Sequence, residues 1–236
     1  MNPRPVELGI RLRKRSKGPA VARDKDATLA AILSAAEIEF ARYGLPGARV
    51  AEIAKNAGVT KGLIFHYFES KEHLFEAVLF KASAPLREAF KEIQSSDAPP
   101  PVMLRMILER FLEEHMTHPL PHLLFTLESI QNQGEHYRKL NLGSLFSAVQ
   151  AVLEKGVKQG CFCDLDITHT AINILGLCTY YFIGTNLNPD PEVRRNPYDK
   201  DRLRRHANEV MRFVEAGTAV AETRVCREES AAAQVR

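Results

Sequence analysis

The stretch that decides the fold is residues 50–75, which read VAEIAKNAGVTKGLIFHYFESKEHLF. It holds two short helical patterns, and each of them is too short to be stable in isolation. Ala54 is small where two helices would cross, Gly58 supplies a left-handed residue for the turn, and Ile64 faces back into the core. This spacing predicts a helix-turn-helix, a motif whose second helix fits the major groove of DNA.

The second helix of the motif, predicted over residues 61–68, should present one face outward. The side chains left for that face are Lys61, Gly62, Leu63, Phe65 and His66. A lysine can donate to guanine O6 or N7, whereas leucine offers only apolar contact, for example with a thymine methyl group. A glycine lets the backbone approach a partner closely, so this set suits contact with base edges.

The rest of the chain carries helical periodicity, and no segment of useful length alternates as a strand does. The predicted fold is therefore all-α. Asp26 is expected to cap the first helix, which should end at Gly44, and Pro85 is expected to bend or end the fourth helix. Long helices are predicted further on over residues 137–157, 168–182 and 199–220.

Composition excludes several classes of protein. Of the 236 residues, 45% are hydrophobic and 26% are charged, which indicates a globular chain rather than a disordered or fibrous one. Four cysteines do not make a disulfide scaffold, and the first residues lack the apolar core of a secretory signal, so we expect a cytoplasmic protein. Residues 167–187 carry no charged side chain, but polar residues interrupt them, so we expect a buried helix and no membrane span.

Charge is concentrated at the N-terminus. Residues 1–25 hold eight basic and two acidic side chains, a net charge of +6, whereas the whole chain carries +3 and the remainder therefore −3. A basic arm before a near-neutral body indicates a polyanionic partner, and a solubilising tail is the alternative. Ahead of a helix-turn-helix, such an arm can lie along the adjacent minor groove and add salt-dependent affinity.

Residues 58–75, with the Ala-Glu-Ile-Ala run at 51–54 in register, resemble the signature of the TetR family of transcriptional regulators. The resemblance is strong over roughly residues 27–80, and later residues match only in length and helical content. It implies a dimer of all-α subunits, each with an N-terminal three-helix DNA-binding head and a helical body. The implied organisation is a basic flexible arm (1–25), a helix-turn-helix domain (26–80), a ligand-binding and dimerisation domain (81–222) and a frayed tail (223–236).

The resemblance also implies roles for single residues. Tyr67 and Lys71 match the family's phosphate contacts, and Phe65 stands where the family usually has tyrosine. The positions that match those near base edges are Lys61, Gly62, Leu63 and His66. The complete predicted DNA-binding set is Arg49, Thr60, Lys61, Gly62, Leu63, Phe65, His66, Tyr67 and Lys71.

One segment departs from the family pattern. Where the family commonly has two threonines and then an arginine within the second helix, this chain has Ala-Arg-Val-Ala at residues 48–51. The hydroxyl cap is thereby lost, and no long side chain projects from Ala51. Arg49 can instead reach a phosphate, or it is an ordinary solvated surface arginine.

A regulator needs a switch, and a ligand that prefers one conformation supplies one. Candidate pocket residues are polar or adaptable side chains within apolar helices, and each could equally be ordinary core. They are Met103, Met106, Phe111, His115, Phe125, Glu128, Asn132, Tyr137, Cys178 and Tyr181. Glu128 is the most informative, since a carboxylate among apolar neighbours is costly unless it is hydrogen-bonded.

The dimer is expected to form through residues 168–182 and 199–220, because the resemblance implies a four-helix bundle built from the last two helices of each subunit. A twofold contact of this kind spaces two recognition helices roughly 34–36 Å apart and favours a palindromic operator. The partners expected are thus double-stranded DNA, a second copy of the chain and a small-molecule effector of unknown identity, with no cofactor.

The sequence leaves three other functions to consider. Cys161 and Cys163 with His169 invite a metal or thiol role, but their spacing is not that of a structural zinc site, so no metal is expected. An enzyme is not expected, since phosphate-loop, dinucleotide, zinc-protease and nucleophile-elbow motifs are all missing from the sequence. The remaining alternative is a TetR-like architectural or protein-interaction factor without an effector.

Overall fold

A computed structural model describes residues 19–140, 145–184, 189–191 and 199–220. Those residues form ten α-helices and no strand, so the all-α prediction is confirmed. The helices are α1 (Pro19–Gly47), α2 (Val50–Asn56), α3 (Lys61–Phe68), α4 (Lys71–Ser95), α5 (Pro100–Thr117), α6 (Pro119–Gln131), α7 (Glu135–Lys139), α8 (Leu145–Lys158), α9 (Ile167–Gly184) and α10 (Lys200–Thr218). Within the same residues, no helix is both long and apolar enough to cross a membrane.

The first helix begins earlier than predicted. Pro19 opens α1, so Asp26 lies inside the helix and residues 19–25 of the predicted flexible arm are helical. Proline is well tolerated at a first helical position, where its missing N–H would have no partner, and this accounts for the earlier start. Gly44 interrupts the helix with φ 66 and ψ 178, close to the predicted end. The predictions for residues 1–18 and for the tail at 223–236 lie outside the described residues.

The chain divides into two compact units, Met1–Ala84 with His118–Leu142, and Pro85–Thr117 with Gly143–Arg236. The predicted boundary between a helix-turn-helix domain and a body at residue 80 stays a prediction. In the structure, residues 118–142 are grouped with the first unit. The physical reason is packing: Leu124 of α6 is fully buried in the same core as Phe40 and Leu74.

A polar cluster also holds α7 within the first unit. His136 Nδ1 lies 3.0 Å and Lys139 Nζ 2.5 Å from Oε1 of the buried Glu76 on α4. Burial raises the pKa of Glu76, but the hydrogen bonds and charges of Lys139 and His136 outweigh that effect and hold its pKa below the ordinary value. The carboxylate therefore stays ionised and attaches α7 to α4.

The second unit has its own core, built from α5, α8, α9 and α10. The prediction of one helix over residues 137–157 is wrong, since α7 ends at Lys139 and α8 begins at Leu145. The intervening sequence contains Asn141 and Gly143, and both residue types favour helix interiors poorly. The predicted helices at 168–182 and 199–220 correspond to α9 and α10. The helix α4 continues through Pro85 without ending there.

Candidate nucleic-acid interface

The turn between α2 and α3 has the geometry that the sequence predicts. Gly58 is left-handed with φ +67, and Ala54 and Ile64 are both buried in the core of the first unit. The N–H of Val59 donates to the carbonyl of Ala54 at 2.9 Å, which closes the turn. The predicted helix-turn-helix packing is therefore confirmed at these positions.

Thr60 sets the start of α3. Its hydroxyl accepts a hydrogen bond from the N–H of Leu63 at 3.2 Å, and its own backbone is extended, as in a helix N-cap. Sequence reasoning included this residue only among the DNA contacts. In the structure its side chain is engaged in capping, so it determines where the recognition helix begins.

The outward face of α3 combines a cation, aromatic rings and open backbone. Lys61, Gly62, Phe65 and His66 are exposed, whereas Leu63 is half-buried. Lys61 Nζ lies 5.8 Å from the centre of the Phe65 ring, a cation–π geometry that places the ammonium over the helix surface. A Cβ added at Gly62 would meet no heavy atom within 4 Å, so the helix backbone there is open to a partner.

The ring of Tyr67, on α3, lies near a residue of the first helix, α1. The ring is half-buried and meets His66 edge-on, with the ring centres 5.8 Å apart, while Lys25 Nζ lies 6.0 Å from its centre. Sequence reasoning treated Lys25 only as part of a flexible arm. Lys25 lies beside Tyr67 because α1 begins at Pro19. The helical periodicity in the sequence is clear only after Asp26, so it did not predict this early start.

Lys71 stands in the first turn of α4 and is held by main-chain oxygens. Its Nζ donates to the carbonyls of Pro46 and Ala48, each at 3.4 Å. An ammonium group has three donors, so two long hydrogen bonds leave capacity for an anion. The residue that sequence reasoning assigned to a phosphate is thus also a brace for the connection between α1 and α2.

Arg49 precedes α2 with an extended backbone and provides no side-chain cap. Its N–H donates to Oε1 of Glu39 at 3.0 Å, and its exposed guanidinium has no hydrogen-bond or ion-pair partner among the described residues. Sequence reasoning missed Glu39. The available signal was its place seven residues after Ile32 on the apolar side of α1, where a carboxylate is out of pattern.

The ten candidate pocket residues do not fall in a single unit. Four of them lie in the first unit, namely Phe125, Glu128, Asn132 and Tyr137. The other six lie in the second, namely Met103, Met106, Phe111, His115, Cys178 and Tyr181.

Glu128 is 2% exposed and its carboxylate is fully engaged within the first unit. It accepts hydrogen bonds from Asn132 Nδ2 at 2.6 Å and from the N–H groups of His136 at 2.8 Å and Tyr137 at 3.3 Å. Those N–H groups belong to the first turn of α7, where a negative charge is favoured. The carboxylate therefore caps α7, and this offsets the cost of its burial.

In the second unit, the candidates differ in burial. Met103 and Cys178 are buried in the core, whereas Met106 is exposed. His115 is buried, with Nδ1 2.7 Å from the carbonyl oxygen of Phe111 and its ring centre 3.9 Å from that of the same phenylalanine. The Phe182 ring lies 5.3 Å away on the other element, so His115 joins α5 to α9.

Tyr181 stacks on His206 of α10 with ring centres 4.4 Å apart. Burial raises the pKa of Tyr181 and lowers that of His206, and it raises the pKa of Cys178 to about 12. All three groups are consequently neutral near pH 7. The stacked pair of Tyr181 and His206 therefore joins α9 to α10 without a charge of its own.

Cys163 and His169, two of the three residues proposed for a metal or thiol role, each contact another residue. Cys163 Sγ lies 3.8 Å from the carbonyl oxygen of Gly217, and His169 Nδ1 lies 2.9 Å from Asp166. In the part of the chain that the structure describes, no three His, Cys, Asp or Glu side chains are grouped as a metal ion would require.

Comparison with known proteins agrees with this arrangement. Residues 32–78 match the family model of bacterial regulatory proteins of the tetR family. The HTH-type transcriptional repressor NicS of Pseudomonas putida is 31% identical over 166 residues, which cover 68% of this chain and 78% of NicS. The HTH-type transcriptional regulator RutR of Escherichia coli K12 is 32% identical over 157 residues, covering 64% of this chain and 72% of RutR.

Solved structures show the same fold. The transcriptional regulator FadR from Bacillus subtilis, in complex with stearoyl-CoA, aligns with a TM-score of 0.62 at 22% identity, covering 80% of this chain and 98% of FadR. Taken with the family model and the two relatives, this alignment leads to one conclusion: the chain belongs to the TetR family of bacterial transcriptional regulators.

Proposed function

We propose that this protein is a transcriptional repressor that binds palindromic operator DNA as a homodimer and is released or retained by a small-molecule effector. The observation that carries the proposal is the outward face of α3. The helix is capped by Thr60, it exposes Lys61 and His66, and its backbone is open at Gly62. These are the donors and the clearance that major-groove contact requires.

Phosphate contacts would surround that face. Arg49, at the start of α2, has a guanidinium without a partner among the described residues, and Lys71 retains a donor at the start of α4. The half-buried Tyr67 of α3 would supply a third contact through its hydroxyl. Contacts of this kind fix the register of a helix in the groove without reading sequence. Their positions on three helices would hold α3 from both sides.

The basic arm adds a second source of affinity. Six basic residues precede Pro19, and α1 then places Lys25 beside Tyr67 of α3. Removing residues 1–18 should therefore weaken DNA binding broadly and flatten its salt dependence, because fewer counterions would be released. Unchanged affinity and an unchanged slope would make the arm a solubilising tail.

A homodimer would cover the apolar face of α9. That helix contains no Asp, Glu, Lys or Arg, and it exposes Ile172, Leu177 and Tyr180 on one side, while Phe213 of α10 is 62% exposed. Exposed apolar patches of this kind mark interaction surfaces. Sedimentation at micromolar concentration tests this step, and a strictly monomeric protein contradicts it.

The effector would bind in the body, acting in the cytoplasm where the operator lies. The relatives NicS and RutR are named as a repressor and a regulator, and FadR, a transcriptional regulator of similar fold, was solved in complex with stearoyl-CoA. Release requires the effector to prefer the DNA-incompetent state, typically by ~1–3 kcal/mol. The alternative, an architectural factor without effector, is favoured by the internal engagement of Glu128 and the burial of Met103.

Capture of genomic fragments on the purified protein tests the proposal, followed by a screen for compounds that elute them. The double variant Tyr67→Ala, Lys71→Ala should lose retention. Lys91→Ala is the matched control, because it removes the same charge from an exposed position on the same helix. Equal retention by all three proteins refutes DNA binding through α3, and retention that no compound alters favours the architectural alternative.

A further inference from the structure

The connection between α1 and α2 is held at both of its edges. On one side, the carboxylate of Glu39 accepts the N–H of Arg49 at 3.0 Å. On the other, Lys71 Nζ donates to the carbonyls of Pro46 and Ala48 at 3.4 Å. Two charged side chains from different helices therefore fix the main chain just before α2.

Glu39 is 8% exposed, and a carboxylate in such a place is costly unless it accepts a hydrogen bond. The N–H of Arg49 is the partner that the structure gives it. The carbonyl of Arg49 in turn accepts from Glu52 at 3.0 Å and Ile53 at 3.1 Å, which begins α2. The main chain of Arg49 is thus tied on both sides, while its guanidinium stays unpaired among the described residues.

This arrangement replaces a missing cap. A helix is usually capped by a side-chain acceptor of the residue at its start, but arginine carries only donors. Glu39 supplies a carboxylate from α1 instead, and its negative charge is favourable beside the N-terminus of α2. An arginine can therefore occupy the cap position without loss of order in the backbone.

We propose that Glu39 is a positioning residue for DNA binding: it fixes the backbone of Arg49 so that the guanidinium and the Lys71 ammonium meet the phosphate backbone together. The inference rests on the proposed function. It assigns the phosphate contact of α2 to a pair of residues, one that touches DNA and one that is buried and does not.

A double-mutant cycle in DNA binding tests this coupling, using the genomic fragment that the wild-type protein retains. Because both subunits of the dimer carry the change, Arg49→Ala should lower affinity about tenfold to a hundredfold and reduce the salt slope by about 2, as expected for one lost phosphate contact in each subunit. Glu39→Leu should do the same. In the Glu39→Leu background, Arg49→Ala should add less than about a twofold loss, because the guanidinium is already misplaced.

Further variants separate positioning from general stability. Glu39→Gln keeps an acceptor and should bind within about twofold of wild type, and Glu37→Leu, on the same helix, is the matched control and should bind normally. Glu39→Leu combined with Arg49→Thr restores a hydroxyl cap, so thermal stability should recover while the salt slope stays reduced.

Several results would overturn the positioning role of Glu39. Multiplicative losses from Glu39→Leu and Arg49→Ala overturn the positioning role, as does a full salt slope in Glu39→Leu. If Glu39→Leu fails to fold, Glu39→Ala takes its place in the cycle with Arg49→Ala, and multiplicative losses there overturn the positioning role. A wild-type protein that retains no duplex overturns this inference and the proposed function together.

Discussion

Substitution of Gly62 by alanine separates DNA contact from folding. Gly62 is the second residue of α3, it is exposed, and an added Cβ would meet no heavy atom within 4 Å. The methyl group therefore fits the isolated protein without strain. Alanine also favours a helix over glycine by about 0.5–1 kcal/mol, so the melting temperature should stay the same or rise by a few degrees.

Binding to DNA should change in the opposite direction. If the backbone at residue 62 approaches a base edge, the methyl group would push α3 outward and weaken the neighbouring contacts of Lys61 and His66. One lost base contact costs roughly 1–3 kcal/mol, which corresponds to an affinity loss of about 5-fold to 150-fold for each recognition helix. Both subunits of the dimer carry the change, so the loss for the whole complex should be at least that large. Because no cation is removed, the salt slope should remain that of wild type.

Fluorescence anisotropy on the retained fragment and thermal unfolding measure the two effects in one preparation. Gly217→Ala is the matched control for the gain in helix stability, measured by thermal unfolding, since Gly217 is also an exposed helical glycine with open space around its Cβ position. Wild-type affinity in Gly62→Ala would mean that the backbone of α3 does not approach the bases. That result would refute the proposed major-groove docking even if the protein retains DNA.

Three further predictions concern stability and reactivity. Burial lowers the pKa of His122 to about 4, so between pH 6.5 and 4 the unfolded chain binds a proton that the folded protein excludes. The free energy of unfolding should therefore fall by ~3 kcal/mol as the pH drops from about 6.5 to 4. Urea unfolding at a series of pH values measures this fall, and His122→Gln should reduce it. Burial raises the pKa of Cys178 to about 12, so its thiol should not react with an alkylating reagent at pH 8 in the folded protein. Peptide mapping should find Cys178 unmodified in the native protein and modified in urea. Labelling of the native protein at Cys178 would contradict its burial. A Cβ at Gly156 would lie 2.1 Å from a ring carbon of the buried Phe162, so Gly156→Ala should destabilise the protein by about 1–3 kcal/mol. If the ring is the cause, adding Phe162→Leu should restore part of the lost stability.

Features set by neighbouring residues could be predicted from the sequence. The positions of Ala54, Gly58 and Ile64 follow from helix periodicity and from the backbone freedom of glycine, and the structure confirms them. The same holds for the burial of Glu128, whose need for hydrogen bonds was evident from its apolar neighbours. Its partners were not, because they lie on the turn and helix that follow.

Features set by distant packing could not be predicted in this way. The burial of Leu124 among residues of α1 and α4 depends on contacts some fifty or more residues apart, and local periodicity carries no information about them. The Glu39 contact with Arg49 is similar, since the sequence shows an acidic residue out of pattern but not its acceptor role.

The place of Leu124 limits how this regulator can be recombined with its relatives. A fragment cut after Ala84 would leave the hydrophobic surface of α1 and α4 without its cover from α6, and it would expose that surface to water. An exchange of DNA specificity between family members would therefore have to transplant two separate stretches of chain, one on each side of α5. A graft made at one junction would carry the recognition helix but only part of the scaffold that keeps it folded.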